Sequence, residues 1–273
     1  MTVRLCLLLI LGIAAPLHAE PVSATFPGKQ SLWEGYARFD FPVDGVNVIV
    51  VTPKQAAAGN PWVWRAEFFG HQPNTDIALL GRGFHIVHVA VGNTFGCPDA
   101  MKHFDAAYQV LTEEHGLAKK VAFEGLSRGG LYSYNWAAAN PDKVACIYGD
   151  APVCDFKSWP GGKGKGKGSP GDWKKLLADY HFASEEEALK YDKNPIDNLK
   201  PLADAHVPLL HVCGDADKTV PYEENTAIMK ERYEKLGGTM EVILKKGVDH
   251  HPHGLTDPTP IVEFIVKYAW AGK

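Results

Sequence analysis

The chain has 273 residues, 45% of them hydrophobic and 22% charged. This is an ordinary globular composition that excludes disorder over most of the length and suits one large domain. Lysine and arginine number 28 against 32 acidic residues, a formal net charge of −4, so no general attraction to nucleic acid or to an anionic membrane is expected.

Residues 1–4 carry one basic side chain, residues 6–17 are mostly apolar, and Leu17-His18-Ala19 ends on a small residue. The pattern predicts a signal peptide over 1–19 and one domain over 20–273, hence a secreted or periplasmic protein. The apolar run falls short of the roughly 18–20 residues that span a bilayer, and no later stretch is long enough, so no membrane anchor is expected. Cys146 and Cys213 lie in apolar, strand-like runs and read as buried thiols. Cys97 and Cys154 lie in loop-like segments, and export would permit a bridge between them. No C-x-x-C pair argues for structural zinc.

Strands are predicted at 35–41 and 46–52, around the turn Asp44-Gly45, and again at 62–68. A helix at 75–81 precedes a β-branched strand at 84–91. Phe104, Ala107, Val110 and Leu111 give 100–115 a helical period, and Gly116 supplies the stop. A short apolar strand at 120–124 runs into Gly125, and a helix follows at 131–139. After a strand at 144–149 the rhythm breaks. The segment 155–191 holds Trp159-Pro160, a Gly/Lys run at 161–168 expected to be a mobile loop, and helical pieces at 173–180 and 184–191. Alternation resumes with a strand at 207–213, a helix at 223–236, a strand at 240–244 and a helix at 259–269. The order predicts an α/β fold: a mostly parallel, twisted sheet flanked by helices, with a lid-like insertion at about 155–191 after the sixth predicted strand.

The chemistry concentrates in Gly125-Leu126-Ser127-Arg128-Gly129, between a strand and a helix. In that context G-x-S-x-G forms a sharp elbow that lifts a serine hydroxyl above the sheet. The Arg128 N–H, at the start of the helix, is placed to stabilise an oxyanion. Such a serine needs a histidine base oriented by an acid. Asp217, past the strand at 207–213, is the expected acid; Asp215 reads as a turn cap, and Asp150 is the second candidate. His250, first after the last strand, is the expected base, with His251 as the fallback. His250, His251 and His253 also pose a metal question, but nothing in their spacing matches a known ligand pattern, so neither metal nor cofactor is expected. His85 and His88 read as structural or surface residues.

Elbow, acid and histidine in this order resemble the α/β-hydrolase superfamily. Within it, Glu67-Phe68-Phe69-Gly70 resembles the Glu-x-Phe-Gly segment of dienelactone hydrolase-like proteins. The resemblance implies that Glu67 neighbours Ser127 and that the Phe68 N–H joins that of Arg128 in the oxyanion hole. Serine stands here where those proteins use cysteine. The Ser-Arg pair is also similar to the elbow of glucuronoyl esterases, in which that arginine assists at the oxyanion. Arg65, Arg128 and Glu67 are therefore candidate substrate contacts, and Trp159, Trp173, Tyr132 and Tyr148 a candidate sugar-stacking wall. The expectation is a secreted serine-dependent carboxylic ester hydrolase whose partner is an ester substrate, such as acetyl, feruloyl or uronate methyl groups on polysaccharides. Two alternatives stand beside it. One is a prolyl-oligopeptidase-like peptidase, a class that usually adds a propeller for which 254 residues leave no room. The other is a non-catalytic carbohydrate-binding protein on a hydrolase fold.

Overall fold

Alternate residues of the run 46–52 face opposite layers, as the two-residue period of a strand requires. Val48 and Val50 pack into one core, and Ile49 and Val51 into a second core on the other side of the sheet. Trp62 and Trp64 likewise face the first core, and Val63 the second. The computed structural model describes residues 25–270. The leader expected over 1–19 lies outside the described residues.

The chain order is β1 (Lys29–Trp33), β2 (Tyr36–Val43), β3 (Val46–Thr52), β4 (Trp62–Arg65), α1 (Asn74–Gly81), β5 (His85–Val89), α2 (Pro98–Gln109), β6 (Val121–Leu126), α3 (Gly129–Ala139) and β7 (Val144–Asp150). It continues with α4 (Pro170–Asp179), α5 (Glu185–Leu189), α6 (Lys200–Asp204), β8 (Leu209–Gly214), α7 (Thr226–Lys235), β9 (Met240–Lys245) and α8 (Thr259–Ala269). Among the described residues nine strands form one sheet in the order β1-β2-β3-β5-β4-β6-β7-β8-β9. The pairs β1–β2, β2–β3 and β3–β5 are antiparallel, and every pairing from β5 through β4 to β9 is parallel. Side chains of α2, α3 and α7 fill the first core, and those of α1 and α8 the second. This is the α/β-hydrolase fold.

Helix α6 was not expected, and β1, β4 and α2 also differ from the sequence reading. Strand β1 was not expected, because it is an edge strand with four of its five residues exposed and shows no apolar alternation. Strand β4 stops at Arg65 instead of 68, since the backbone turns there and Phe68 takes φ +54°. The helix expected over 100–115 starts at Pro98 and widens after Gln109, with His115 N–H donating to Val110 O at 3.3 Å.

The chain between β7 and β8 carries α4, α5 and α6 and packs around its own aromatic cluster, which includes Phe156, Trp173 and Tyr180. Its Gly/Lys run is fastened rather than free. Glu224 accepts from Ser158 Oγ at 2.7 Å and from the Lys165 N–H, and Lys163 pairs with Glu185. A Cβ on Gly164 would meet the Glu224 carboxylate at 2.3 Å, so that glycine is what lets the loop lie against it. Glu224→Ala should free the run. Trypsin should then cleave at Lys163, Lys165 or Lys167 roughly tenfold faster, the size of about one lost charge-assisted bond. An unchanged cleavage rate would show that other contacts hold the loop.

Cys97, Cys146, Cys154 and Cys213 are all free and buried, so the bridge considered between Cys97 and Cys154 is absent among the described residues. Cys154 instead packs against Met229, with its sulfur 4.0 Å from the thioether. No helix among the described residues is long and apolar enough to cross a membrane.

Candidate active site

The turn from β6 into α3 is sterically closed to larger residues. A Cβ on Gly125 would lie 2.7 Å from Ser133 Oγ, and one on Gly130 2.7 Å from both Pro152 Cβ and Val153 O. Between them Ser127 adopts φ +49°, a conformation L-residues adopt only where the surroundings impose it. Here the end of β7 does so: Ser127 N–H donates to Asp150 O and Ser127 O accepts from Val153 N–H, both at 2.8 Å. The hydroxyl is thereby aimed across the carboxyl edge of the sheet, where loops after parallel strands meet.

The loops after β8 and β9 are fastened to each other before either reaches the serine. Asp215 N–H donates to Lys245 O at 3.2 Å, Ala216 N–H to Val248 O at 3.0 Å, and Gly247 N–H to Asp215 Oδ1 at 2.5 Å. Asp249 Oδ1 accepts from the N–H groups of Lys218 and His250 at 2.9 and 2.8 Å. Asp217 accepts from the N–H groups of Thr219 and Val220 on Oδ1, both at 2.8 Å, which leaves Oδ2 for His250. His250 Nδ1–H donates to that oxygen at 2.7 Å, and Ser127 Oγ–H donates to His250 Nε2 at 2.9 Å. Ser127, Asp217 and His250 are thus one hydrogen-bonded chain, in the tautomer a general base requires. Asp215 does not cap its own turn but takes the Gly247 N–H of the loop after β9, and His251 does not reach the serine by a hydrogen bond.

Asp150 has a different task. Its Oδ1 takes the His253 Nδ1–H at 2.7 Å, and its Oδ2 takes the Tyr148 hydroxyl at 2.5 Å and the Gly254 N–H at 2.6 Å. Burial raises its carboxyl, but the His253 bond and charge and the Tyr148 bond outweigh that and hold it below the ordinary value.

Phe68 and Arg128 flank the serine. Phe68 N–H points at its own neighbour's carboxylate, donating to Glu67 Oε1 at a long 3.5 Å, a bond a stronger acceptor would displace. Arg128 opens α3, where backbone N–H groups have no partner within the helix. Its guanidinium lies 4.7 Å over the Phe68 ring and its Nε is 3.4 Å from Glu67 Oε2. Burial pushes the Glu67 carboxyl above its ordinary value, and the Arg128 charge opposes this. Glu67 is therefore paired with Arg128 and does not line the cavity over the serine.

A cavity of about 410 Å³ opens over Ser127, walled by Phe68, Arg128, Trp159 and Thr219. His71, His250, His251 and His253 close its other side. Partial desolvation, then the neighbouring His253, hold the His71 and His251 imidazoles below their ordinary value.

Arg65 is not a substrate contact. It is fully buried beneath the site, where its Nη1 pairs with Glu124 at 2.7 Å and Asp76 at 3.0 Å. Its remaining N–H groups donate to the backbone oxygens of Glu67, Phe68 and His71. Nor do Trp173, Tyr132 and Tyr148 form a stacking wall. Trp173 belongs to the aromatic cluster after β7, Tyr132 donates its hydroxyl to Gly92 O, and Tyr148 supports Asp150. Of the four aromatics only Trp159 reaches the cavity. The sequence reading missed His71, an isolated histidine after the Phe-Phe-Gly segment with no local pattern around it.

Residues 98–271 match the prolyl oligopeptidase family. The fold is similar to that of a puromycin-hydrolyzing peptidase from Mycobacterium tuberculosis, at TM-score 0.64 and 15% identity over 86% of this chain and 40% of that one. A puromycin hydrolase gives TM-score 0.63 and 20% identity over 90% of this chain and 39% of that one. The acylaminoacyl peptidase of Pyrococcus horikoshii gives 0.58 and 16%, over 78% and 37%. The chain thus spans about two fifths of the length of the solved structures it resembles. No curated protein matches it.

Proposed function

This chain belongs to the prolyl oligopeptidase family, and from that premise we propose that it is a serine peptidase acting on short peptides or aminoacyl amides through a Ser127 acyl-enzyme. The observation that carries the reading is the Asp217–His250–Ser127 chain of hydrogen bonds, 2.7 and 2.9 Å long, opening into the cavity. In the proposed reaction His250 Nε2 takes the Ser127 proton as Oγ bonds to the carbonyl carbon. The N–H groups of Phe68 and Arg128 receive the oxyanion, a contribution typically worth about 10²–10³ in turnover per donor. Collapse breaks the C–N bond, and His250 returns the proton to the leaving amine. Water, deprotonated by the same imidazole, then bonds to the acyl carbon, the C–Oγ bond breaks, and the imidazolium returns the proton to Ser127 Oγ. Asp217 steadies the imidazolium that forms twice along this path. The choice of amide substrates draws on the family and on the names of the similar structures.

A second reading is favoured by Trp159 on the cavity wall: hydrolysis of carboxylic esters, including acetyl, feruloyl or methyl groups carried by glycans. Secretion, argued from residues 1–19, is part of the same proposal.

A peptide p-nitroanilide series and a p-nitrophenyl ester series, assayed beside acetylated, feruloylated and methyl-esterified glycans, separate the readings. The peptidase reading expects anilide and peptide cleavage, blocked when a fluorophosphonate labels Ser127. Cleavage of esters alone would overturn it in favour of the second reading. Neither turnover nor labelling would return the chain to a binding role.

A further inference from the structure

Three imidazoles that the reaction does not use converge beside the one it does. The ligand-capable atoms of His71, His251 and His253 lie within 4.8 Å of one another. His71 arrives from the loop after β4, whereas His251 and His253 sit on the loop after β9. We propose that these three side chains form a binding site for a divalent first-row transition cation, zinc above all, and that an ion there slows hydrolysis at Ser127.

Three features of the cluster support a cation. Its donors are all imidazole nitrogens, the ligand type that suits zinc and its neighbours. His253 is buried and gives Nδ1–H to the fully buried Asp150 carboxylate, which fixes its ring and leaves Nε2 as the lone pair. A carboxylate behind a ligating histidine is the usual support of such sites. His71 and His251 are exposed and make no side-chain hydrogen bond among the described residues, so their rings can turn. A tetrahedron with arms of about 2.05 Å has edges of about 3.4 Å. The two exposed rings must turn to close the difference. The fourth position would face the cavity.

The effect on turnover follows from distance. The His250 ring centre is 4.8 Å from that of His253 and 5.0 Å from that of His251. A doubly charged ion there opposes the positive charge His250 acquires when it takes the Ser127 proton, which should slow hydrolysis about tenfold or more at saturation. Binding stands apart from the peptidase reading; the effect on turnover rests on it.

The test uses the full chain without an affinity tag, stripped with chelator. Cobalt is titrated while its visible absorption is followed, and zinc then competes it away. One saturable equivalent with a tetrahedral cobalt spectrum is expected. His71→Ala and His251→Ala, both at exposed positions, should each weaken binding at least about tenfold. Zinc should inhibit the wild-type protein with a midpoint equal to its competition constant. In each variant, compared with its own metal-free rate, that midpoint should move up together with the binding constant. No saturable uptake, or wild-type affinity retained in both variants, overturns the site. Binding without inhibition overturns the effect on turnover. Should the chain hydrolyse no substrate at all, the peptidase reading fails while the cobalt titration still decides the site.

Discussion

Replacing Ser127 by alanine is expected to lower anilide turnover by roughly 10⁴- to 10⁶-fold, with folding stability within about 0.5 kcal/mol of wild type. The hydroxyl makes one hydrogen bond, to His250, and alanine keeps the Cβ that already sits at φ +49°. His250→Ala should lose about as much, and the double variant little more, because the two act as one unit. Asp217→Asn should cost around 10⁴-fold, since an amide in place of Oδ2 would turn the imidazole to the wrong tautomer. Initial rates on a peptide anilide, with thermal melts as the control for folding, check all four proteins. Retention of even one-hundredth of the wild-type rate by a folded Ser127→Ala protein would remove the serine from the reaction.

Arg65→Met should destabilise the fold by about 3–5 kcal/mol, the usual consequence of stripping the partner from buried charge. It leaves Asp76 and Glu124 together in the interior, both of them fully buried. It also removes the donors to three backbone oxygens of the loop carrying Phe68 and His71, so activity should fall further than stability alone explains. Glu124→Gln should cost far less. Burial, with the Asp76 charge, pushes the Glu124 carboxyl well above its ordinary 4.5. The folded protein therefore keeps a proton here that the unfolded chain gives up above about pH 4.5. In that window the folded state binds more protons, so this group's contribution to stability falls as pH rises, by about 1.4 kcal/mol per pH unit until the folded pKa is passed. Glutamine mimics the protonated form and should flatten that slope. Urea unfolding between pH 5 and 8 reads both effects. A Glu124→Gln protein as unstable as Arg65→Met would refute a protonated Glu124 in the folded state.

What could be read from the sequence was whatever is written locally. A strand running into Gly125-Leu126-Ser127-Arg128-Gly129 needs no distant residue to be recognised, and Asp217 and His250 each follow an apolar run at a fixed place in the strand order. The sheet was legible where alternate residues meet different cores, as at 46–52, and illegible at β1, whose residues face water. Arg65 misled because its environment comes from far away. Its carboxylate partners lie 11 and 59 positions along the chain, and nothing beside it signals burial. The Gly/Lys run looked unconstrained for the same reason, since Glu224 is 59 positions from Lys165. His71 stands 180 positions from His251, and only the fold brings the two loops together.

Asp150 joins the nucleophile's backbone and the histidine loop through a single residue. Its carbonyl takes the Ser127 N–H, and its carboxylate holds His253 and Gly254. The serine and the histidine loop therefore share one anchor at the end of β7, an interior strand of the sheet. Heat should disable such a centre only when the strand itself gives way, so that inactivation and global melting coincide.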